Sequence, residues 1–305
     1  MPPTRRPVDA FAAATMVLLC AIWGAQQVAI KLAAPDLAPI YQVSLRSGLS
    51  ALLVVLLGRW RGDPVVLRRE TLRPGALAGL LFAGEFLFVA EGLRRTQASH
   101  MAIFLYTAPV FTALGLHLAV PTERLRPRQW AGIGLAFGGI ALAFLGGAPA
   151  GGGAAATLSG DLLGLLAGLC WGATTVVVRT SALSEAPPSE TLLYQLLGAF
   201  LALLPVALLS DQAGRFALTP AALASLLFQG VVVSFASYLA WFALLRRYLA
   251  TGLSVFSFMT PIFGVTFGVL VLGEPLGGAF VAGAALVLAG ILLVSGAGPR
   301  RREVA

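Results

Sequence analysis

Apolar residues form long runs along the chain, and short segments between them carry most of the charged residues. Each run is about twenty residues long, the length that an α-helix needs to cross a hydrocarbon core of about 30 Å. The pattern therefore predicts ten membrane-spanning helices. Their predicted spans are 10–31, 39–57, 75–93, 99–120, 129–147, 160–179, 190–210, 220–245, 251–272 and 278–296.

The composition agrees with this prediction. Of the 305 residues, 58% are hydrophobic and 11% are charged, and the mean hydropathy is +0.88, far from soluble usage. The net charge of +8 could suggest nucleic-acid binding, but the basic residues form short clusters without a basic face interleaved with aromatic residues. We expect an all-α integral membrane protein with the lipid bilayer as a partner, no nucleic acid and no cofactor.

The basic clusters also predict the orientation. With both termini in the cytoplasm, sixteen arginines fall on the cytoplasmic side, and only Lys31, Arg94, Arg95 and Arg215 fall on the other side. The positive-inside rule selects this arrangement. Arg46 is left within the second predicted helix. We expect a bacterial inner membrane protein with both termini in the cytoplasm.

The chain contains an internal repeat. The stretch LLCAIWGAQQVAIK at 18–31 aligns with LAGLCWGATTVVVR at 166–179, so that the Trp-Gly-Ala triplets coincide and Lys31 falls on Arg179. A shared triplet in two helices so far apart indicates duplication of a larger unit.

Later segments extend the repeat. The stretch at 92–116 matches that at 243–267, with Pro109 on Pro261, and the segment from Thr122 matches the segment from Gly273, with Glu123 on Glu274 and Gly132 on Gly283. The duplicated unit therefore contains five helices. The predicted boundaries are 1–147 for the first unit, 148–159 for a Gly/Ala-rich linker and 160–305 for the second unit.

The two units should have opposite orientations, because an odd number of crossings reverses the chain. The loops agree, since 124–128 carries three arginines and its counterpart after the ninth helix carries none. Inverted repeats are common in transporters, whose binding site lies near the bilayer midplane and is exposed alternately to the two sides.

Four features carry a family resemblance: the tract GLRRTQAS...LYTAPVFTALGL...TERLRPRQWAGIGLAFGG, its weaker echo ALLRRYLATGLS...FMTPIFGVTFGVLVLGEPL, the early WGA and Arg46. With these features the sequence resembles the EamA-type drug/metabolite transporters. The resemblance covers nearly the whole chain. It implies ten helices in two inverted repeats and export of small organic solutes, above all amino acids and related metabolites, by alternating access through a central cavity. Within the family, the overall likeness is to YddG-like exporters of aromatic amino acids.

Other functions compete with amino-acid export as explanations of the sequence. An exporter of amphiphilic drugs or other metabolites and a channel-like facilitator stay open as alternatives, because composition does not separate them from an amino-acid carrier. An intramembrane enzyme would need a nucleophile with a base, an aspartate pair or a metal cluster within the membrane, and the predicted helices contain none. We expect no enzymatic activity and no metal site. The oligomeric state is open, and a monomer is plausible.

Glu85 lies near the middle of the third predicted helix. An ionised side chain that faces lipid at this depth costs about 2.5–3.5 kcal/mol, so Glu85 should face protein or a water-filled cavity. Two roles fit this position, binding of a solute ammonium group and exchange of protons during transport. The alternative is a protonated side chain hydrogen-bonded between helices.

Polar and aromatic residues share helical faces with Glu85 and with its repeat counterpart Ser237. Hydrogen-bonding groups beside aromatic rings suit an amphiphilic solute, although aromatic packing and interfacial anchoring by tryptophan are competing explanations. The predicted solute-binding residues are Trp23, Gln26, Gln27, Glu85, Phe86, Tyr106, Trp171, Thr174, Thr175, Ser237, Tyr238, Trp241 and Phe258.

Four further positions carry expectations about mechanism. Pro109 and Pro261 lie at equivalent positions within predicted helices, where each should kink its helix, either as a hinge of alternating access or as a permanent bend. Arg46 should reach the membrane surface or pair with a carboxylate such as Glu91. His100 is at most a gate or a pH-sensing residue.

Small residues recur every four positions in two predicted helices. The members are Gly160, Gly164, Gly168 and Gly172 in the sixth helix and Ala21, Ala25 and Ala29 in the first. This spacing lets membrane helices approach closely, so we expect these residues to pack against neighbouring helices.

Overall fold

The computed structural model describes residues 8–121, 124–145, 154–212, 214–248, 253 and 256–295. The regular structure in these ranges is helical apart from isolated bridge residues, among them the pair Leu37 and Phe216. The helices are α1 (Ala10–Ala33), α2 (Pro39–Trp60), α3 (Leu72–Leu93), α4 (Ala98–Leu105), α5 (Ala108–Ala119), α6 (Pro127–Leu145), α7 (Ala154–Thr180), α8 (Pro188–Leu209), α9 (Pro220–Leu227), α10 (Tyr238–Arg247), α11 (Met259–Leu272) and α12 (Gly278–Ser295), with a 3₁₀ turn at Ala182–Glu185 and a π-helical segment at Phe228–Ser237.

The all-helical prediction is confirmed. In the described part of the chain, seven helical spans are long and apolar enough to cross a membrane, where α4 with α5 (Ala98–Ala119) and α9 through the π-helical segment into α10 (Pro220–Trp241) each count as one span. Two shorter apolar helices span Met259–Leu272 and Gly278–Val294. Most predicted boundaries agree within three residues. The main exception is α7, which begins at Ala154 rather than at 160, so part of the predicted linker is helical. Residues 148–153 of that linker lie outside the described ranges.

The helices that contain the two equivalent prolines are interrupted rather than kinked. The helix predicted at 99–120 ends as α4, turns over two residues and resumes as α5, with Pro109 in the first turn of α5. Pro261 likewise lies in the first turn of α11, after another two-residue turn. Proline is tolerated there because the first N–H groups of a helix have no intrahelical acceptor. The expectation of mid-helix kinks is therefore wrong, and the hinge role stays a prediction.

The eighth predicted helix also differs from a plain α-helix. Between α9 and α10, residues Phe228–Ser237 form a π-helical segment. Such segments are rare and occur frequently at functional sites. This one ends at Ser237, a predicted solute-binding residue.

Glycines on α7 bring this helix into close contact with α4 and α5. A Cβ atom placed on Gly168 would lie 2.7 Å from Thr107 Oγ1, and one on Gly164 would lie 3.0 Å from the Cβ of Phe104. A larger residue would push these helices apart. The packing role predicted from the four-residue spacing is confirmed for these glycines.

The helices α6 and α12 make a reciprocal contact. A Cβ on Gly132 would lie 2.7 Å from the carbonyl oxygen of Gly290, and a Cβ on Gly139 would lie 2.6 Å from the carbonyl oxygen of Gly283. The repeat aligns Gly132 with Gly283 and therefore Gly139 with Gly290. Gly132 thus contacts the counterpart of Gly139, and Gly139 contacts the counterpart of Gly132. Because the contacts run in opposite order along the two helices, the helices are antiparallel.

The glycines of the two Trp-Gly-Ala triplets make equivalent contacts. A Cβ on Gly24 would lie 2.7 Å from the Cβ of Phe263 in α11, and a Cβ on Gly172 would lie 2.7 Å from the Cβ of Phe111 in α5. Phe111 and Phe263 each follow one of the equivalent prolines by two residues. The same helix crossing therefore occurs twice.

Candidate functional site

Aromatic side chains from α1 and α10 pack around Ser237. Trp23 Nε1 donates a hydrogen bond of 2.8 Å to the hydroxyl oxygen of Ser237. The Trp23 ring centroid lies 6.0 Å from that of Trp241, nearly perpendicular to it, and 6.5 Å from that of Tyr238. These three rings are only partly buried, whereas Ser237 is buried.

A second aromatic pair comes from α7 and the turn between α4 and α5. The Tyr106 and Trp171 rings are perpendicular, with centroids 5.2 Å apart. Glu85 interacts electrostatically with both Tyr106 and Tyr238, so its carboxylate lies near both aromatic groups. The structure thus brings together residues that are far apart in the sequence, around the predicted carboxylate.

Arg46 belongs to the same site. Its guanidinium carbon lies 4.1 Å from the centroid of the Phe86 ring, a cation–π contact. Arg46 and Glu85 are 1% and 5% exposed, and their charges attract each other. Glu91, the partner that the sequence analysis predicts for Arg46, pairs with other arginines. A lone arginine inside an apolar run was the signal that could have placed Arg46 in the site.

Glu91 instead forms a local ion-pair cluster. Its carboxylate lies 2.9 Å from a guanidinium nitrogen of Arg94 and 3.0 Å from one of Arg95. Arg94 also contacts Asp211 at 2.7 Å. The side chain of Glu91 is therefore held at the end of α3, away from the centre of the helix bundle.

The remaining predicted site residues have different surroundings. Gln26, Gln27 and Thr174 are buried, and Gln27 Oε1 has no hydrogen-bond partner in the described part of the chain. Thr175 is exposed and donates to the carbonyl oxygen of its own helix four residues earlier. Phe258 packs against the apolar cluster that contains Phe104. Thr175 therefore does not face the buried part of the site, whereas a role of Phe258 in solute binding stays a prediction.

A groove opens at the end of the helix bundle where α2 ends and α8 begins, which we call the Arg61 end. The cavity has a volume of about 440 Å³. It reaches inward to Leu239, the residue that follows Tyr238 of the aromatic site. Its lining is mainly apolar with charged residues at the rim: Val54, Leu57, Gly58, Arg61, Asp63, Val65, Pro188, Ser189, Leu192, Leu239, Ala243 and Arg247.

The opposite end, where α1 ends and α4 begins, is called the Lys31 end. Glu274 accepts hydrogen bonds of 2.7 and 2.9 Å from the backbone N–H groups of Ala98 and Ser99, and Lys31 Nζ lies 3.1 Å from the same carboxylate. Burial alone would raise the pKa of Glu274, but these hydrogen bonds and the charge of Lys31 lower it below the usual 4.5. The repeat counterpart Glu123 lies outside the described residues.

His100 takes part in a second buried contact at the Lys31 end. Its Nδ1 lies 2.9 Å from Asp161 Oδ2, and Thr96 donates a hydrogen bond to the same carboxylate. The imidazole ring stacks on Phe280 with centroids 3.8 Å apart. These contacts join α4 to α7 and α12. A role for His100 in gating stays a prediction, and the described residues contain no cluster of metal ligands.

Comparison with known proteins agrees with these features. The chain is 27% identical over 285 residues to an "Uncharacterized transporter" of Archaeoglobus fulgidus, covering 92% of this chain and 96% of that protein. It is 27% identical over 288 residues to a "Probable amino-acid metabolite efflux pump" of Salmonella typhimurium, covering 91% and 92%. A crystal structure with 20% identity superposes with a TM-score of 0.66, covers 98% of this chain and all of its own, and shows a common fold.

The family match assigns this helix bundle to the membrane. The sequence pattern of the EamA-like transporter family matches twice, at residues 10–145 and 158–296, so it covers both halves of the chain and nearly all of the described helices. Apolar helices of membrane-spanning length and this double match lead to one conclusion: the chain is an integral membrane protein that belongs to the EamA-like transporter family.

Proposed function

We propose that the protein is a secondary transporter that exports amino acids and related metabolites and binds them at the aromatic site around Glu85. The observation that carries this proposal is a buried carboxylate that interacts electrostatically with Tyr106 and Tyr238, each of which belongs to a group of partly buried aromatic rings. Such a site offers an acceptor for an ammonium group and apolar surfaces for a side chain. The printed name of the Salmonella relative, an amino-acid metabolite efflux pump, supports the same class of solute.

Aromatic amino acids are the proposed preferred solutes. Trp23, Tyr106, Trp171, Tyr238 and Trp241 offer ring faces and edges around the carboxylate. Aromatic pairs in offset or perpendicular arrangements are favourable beyond the burial of their area. An aromatic side chain would therefore gain more from this site than a short aliphatic one, which is the specificity proposed for the YddG-like subgroup.

Alternating access between two inverted five-helix repeats is the proposed mechanism. The contacts of Gly132 with Gly290 and of Gly139 with Gly283 support it. A two-fold axis in the membrane plane that exchanges the two repeats converts one of these contacts into the other. Two five-helix units, with ten crossings in all, would place both termini on the same side of the membrane.

The two ends of the bundle support the proposed direction of loading. Buried polar contacts of Glu274, His100 and Asp161 join helices at the Lys31 end, whereas the groove opens at the Arg61 end. The positive-inside rule assigns the Arg61 end to the cytoplasm. Solute would therefore enter from the cytoplasm through the groove, as export from a bacterial inner membrane requires.

Counterflow in proteoliposomes tests the proposed function. Protein in vesicles preloaded with unlabelled L-phenylalanine should accumulate external labelled phenylalanine, because a carrier exchanges bound solutes across the membrane. Empty vesicles and vesicles preloaded with glucose are the controls. Exchange that is not stimulated by internal phenylalanine would indicate a channel-like facilitator, and exchange of a labelled hydrophobic cation but of no amino acid would indicate a drug exporter.

Cysteine labelling tests the inverted repeat. Lys31 and Arg179 are aligned in the repeat but lie at opposite ends of the bundle, so Lys31→Cys and Arg179→Cys should react with a membrane-impermeant maleimide from opposite sides of sealed vesicles. The reagent is applied to right-side-out and inverted vesicles of each variant, and a Cys-free background removes the native thiols. Reaction of both positions from the same side would contradict the inversion.

A further inference from the structure

Two opposite charges lie near each other in the candidate site with hydrogen-bonding capacity left unused. Arg46 of α2 and Glu85 of α3 attract each other, and both are more than nine-tenths buried. Nε and Nη1 of Arg46 and Oε2 of Glu85 have no hydrogen-bond partner among the described residues. Because buried polar groups are nearly always hydrogen-bonded, these atoms point to a ligand that supplies the missing partners.

We propose that Arg46 and Glu85 bind the two charged groups of a zwitterionic α-amino acid, Arg46 its carboxylate and Glu85 its ammonium group. This assignment rests on the proposed function and narrows it. A guanidinium group matches a carboxylate with two parallel hydrogen bonds, and an ionised glutamate accepts hydrogen bonds from an ammonium group. Together they select a solute that carries both charges, and they disfavour a hydrophobic cation or a simple organic acid.

An aromatic contact holds the Arg46 side chain in place. The Arg46 guanidinium lies on the Phe86 ring, and Phe86 packs against Phe82 with ring centroids 4.8 Å apart. Phe86 directly follows Glu85 in α3, so one helix supports the arginine and carries the carboxylate. A preorganised pair loses little conformational entropy when a solute binds. The amino-acid side chain would then lie toward Tyr106 and Trp171.

Three competitors of labelled L-phenylalanine test the proposal in the counterflow assay. Phenylalaninamide lacks the carboxylate, 3-phenylpropionate lacks the ammonium group, and unlabelled phenylalanine carries both. We expect each analogue to compete at least about tenfold more weakly than phenylalanine, because each leaves one buried charge without its partner. Equal competition by all three compounds would overturn the proposal, while exchange of phenylalanine would still support the proposed function.

Single substitutions separate the two roles. Arg46→Gln should abolish the preference for phenylalanine over its amide and keep the preference over 3-phenylpropionate. Glu85→Gln should abolish the preference for phenylalanine over 3-phenylpropionate and keep the preference over the amide. Arg59→Gln, an exposed arginine near the end of the same helix as Arg46, is the matched control and should keep both preferences. Retention of both preferences in Arg46→Gln and in Glu85→Gln would refute the assignment.

Removal of one charge leaves the other buried without compensation, which can prevent folding. Size-exclusion chromatography in detergent identifies variants that fail in this way. The double variant Arg46→Gln with Glu85→Gln removes both charges and should bind phenylalanine weakly with neither preference. If none of these variants folds, the competition series with the wild-type protein decides alone. Absence of amino-acid exchange in the wild type would remove the proposed function and this inference together.

Discussion

Replacing Gly139 with alanine should destabilise the helix bundle, whereas the same change at the neighbouring Gly138 should not. A Cβ on Gly139 would lie 2.6 Å from the carbonyl oxygen of Gly283 and 2.7 Å from the backbone nitrogen of Val287. These are backbone atoms, which cannot rotate away. A Cβ on Gly138 would meet nothing within 4 Å. The two glycines are adjacent on α6, so they form a matched pair.

The expected difference follows from the contact distances. Ordinary Cβ contacts begin at 3.4 Å, so α6 and α12 would have to separate by up to about 0.8 Å to accept alanine at Gly139. Overpacking of this kind costs about 1–3 kcal/mol. Alanine in place of a helical glycine is favourable by about 0.5–1 kcal/mol, but both variants share this gain. The free energies of unfolding of the two variants should therefore differ by about 1–3 kcal/mol.

Thermal unfolding in detergent measures the difference through a buried thiol. Cys20 is fully buried, so a thiol-reactive fluorophore should react with it mainly after unfolding, in a background where Cys170 is replaced by alanine. At about 2–4 °C per kcal/mol, Gly139→Ala should unfold several degrees below Gly138→Ala. Equal unfolding temperatures would show that α6 and α12 are not in backbone contact, and would remove the main support for the proposed two-fold axis.

Two further predictions concern one contact at the Lys31 end and one in the aromatic site. Glu274→Gln should lower the unfolding temperature at neutral pH. The pKa of Glu274 is lower in the folded state, so its carboxylate stabilises the fold above the usual pKa of 4.5, and this stabilisation is lost as the pH falls through the folded-state pKa. The difference in unfolding temperature from wild type should therefore shrink in acid, and a difference that is constant with pH would contradict this. The exposed Glu185→Gln is the control. Trp171→Ala should change the inhibition profile of counterflow across a panel of solutes, because the ring packs against the site, whereas the exposed Trp130→Ala should leave it unchanged; an unchanged profile in Trp171→Ala would argue against solute contact.

The helices were predictable because the bilayer imposes a length on each apolar run. A span of about twenty apolar residues has few alternatives in a membrane, since every backbone polar group must be paired internally. The sequence marks Pro109 and Pro261 as special positions, but the kinks that it predicts are interruptions in the structure. Proline in a sequence marks a disturbed helix, but whether the helix bends or restarts depends on how neighbouring helices receive the freed backbone groups.

The rotation of each helix was harder to predict. In a soluble protein the apolar stripe of a helix marks the buried face, but in a membrane both lipid and protein interior are apolar. Thr174 and Thr175 were therefore predicted to share one site, whereas the structure buries only Thr174. The sequence does not predict Arg46 in the site for a related reason, because its contact with Phe86 depends on how α2 and α3 are rotated toward each other.

The repeated Trp-Gly-Ala triplet links close helix packing to the composition of the site. Gly24 allows α1 to touch the backbone of α11, and this contact fixes the rotation of α1. Trp23, on the neighbouring position, is then directed toward Ser237. Gly172 fixes α7 against α5 in the same way, and Trp171 is directed toward the Tyr106 ring. Glycine contributes no group to a solute, yet a side chain at either glycine would turn or displace the adjacent tryptophan. The triplet therefore acts as one unit, in which the glycine fixes the position of the helix and this position directs the adjacent tryptophan into the site.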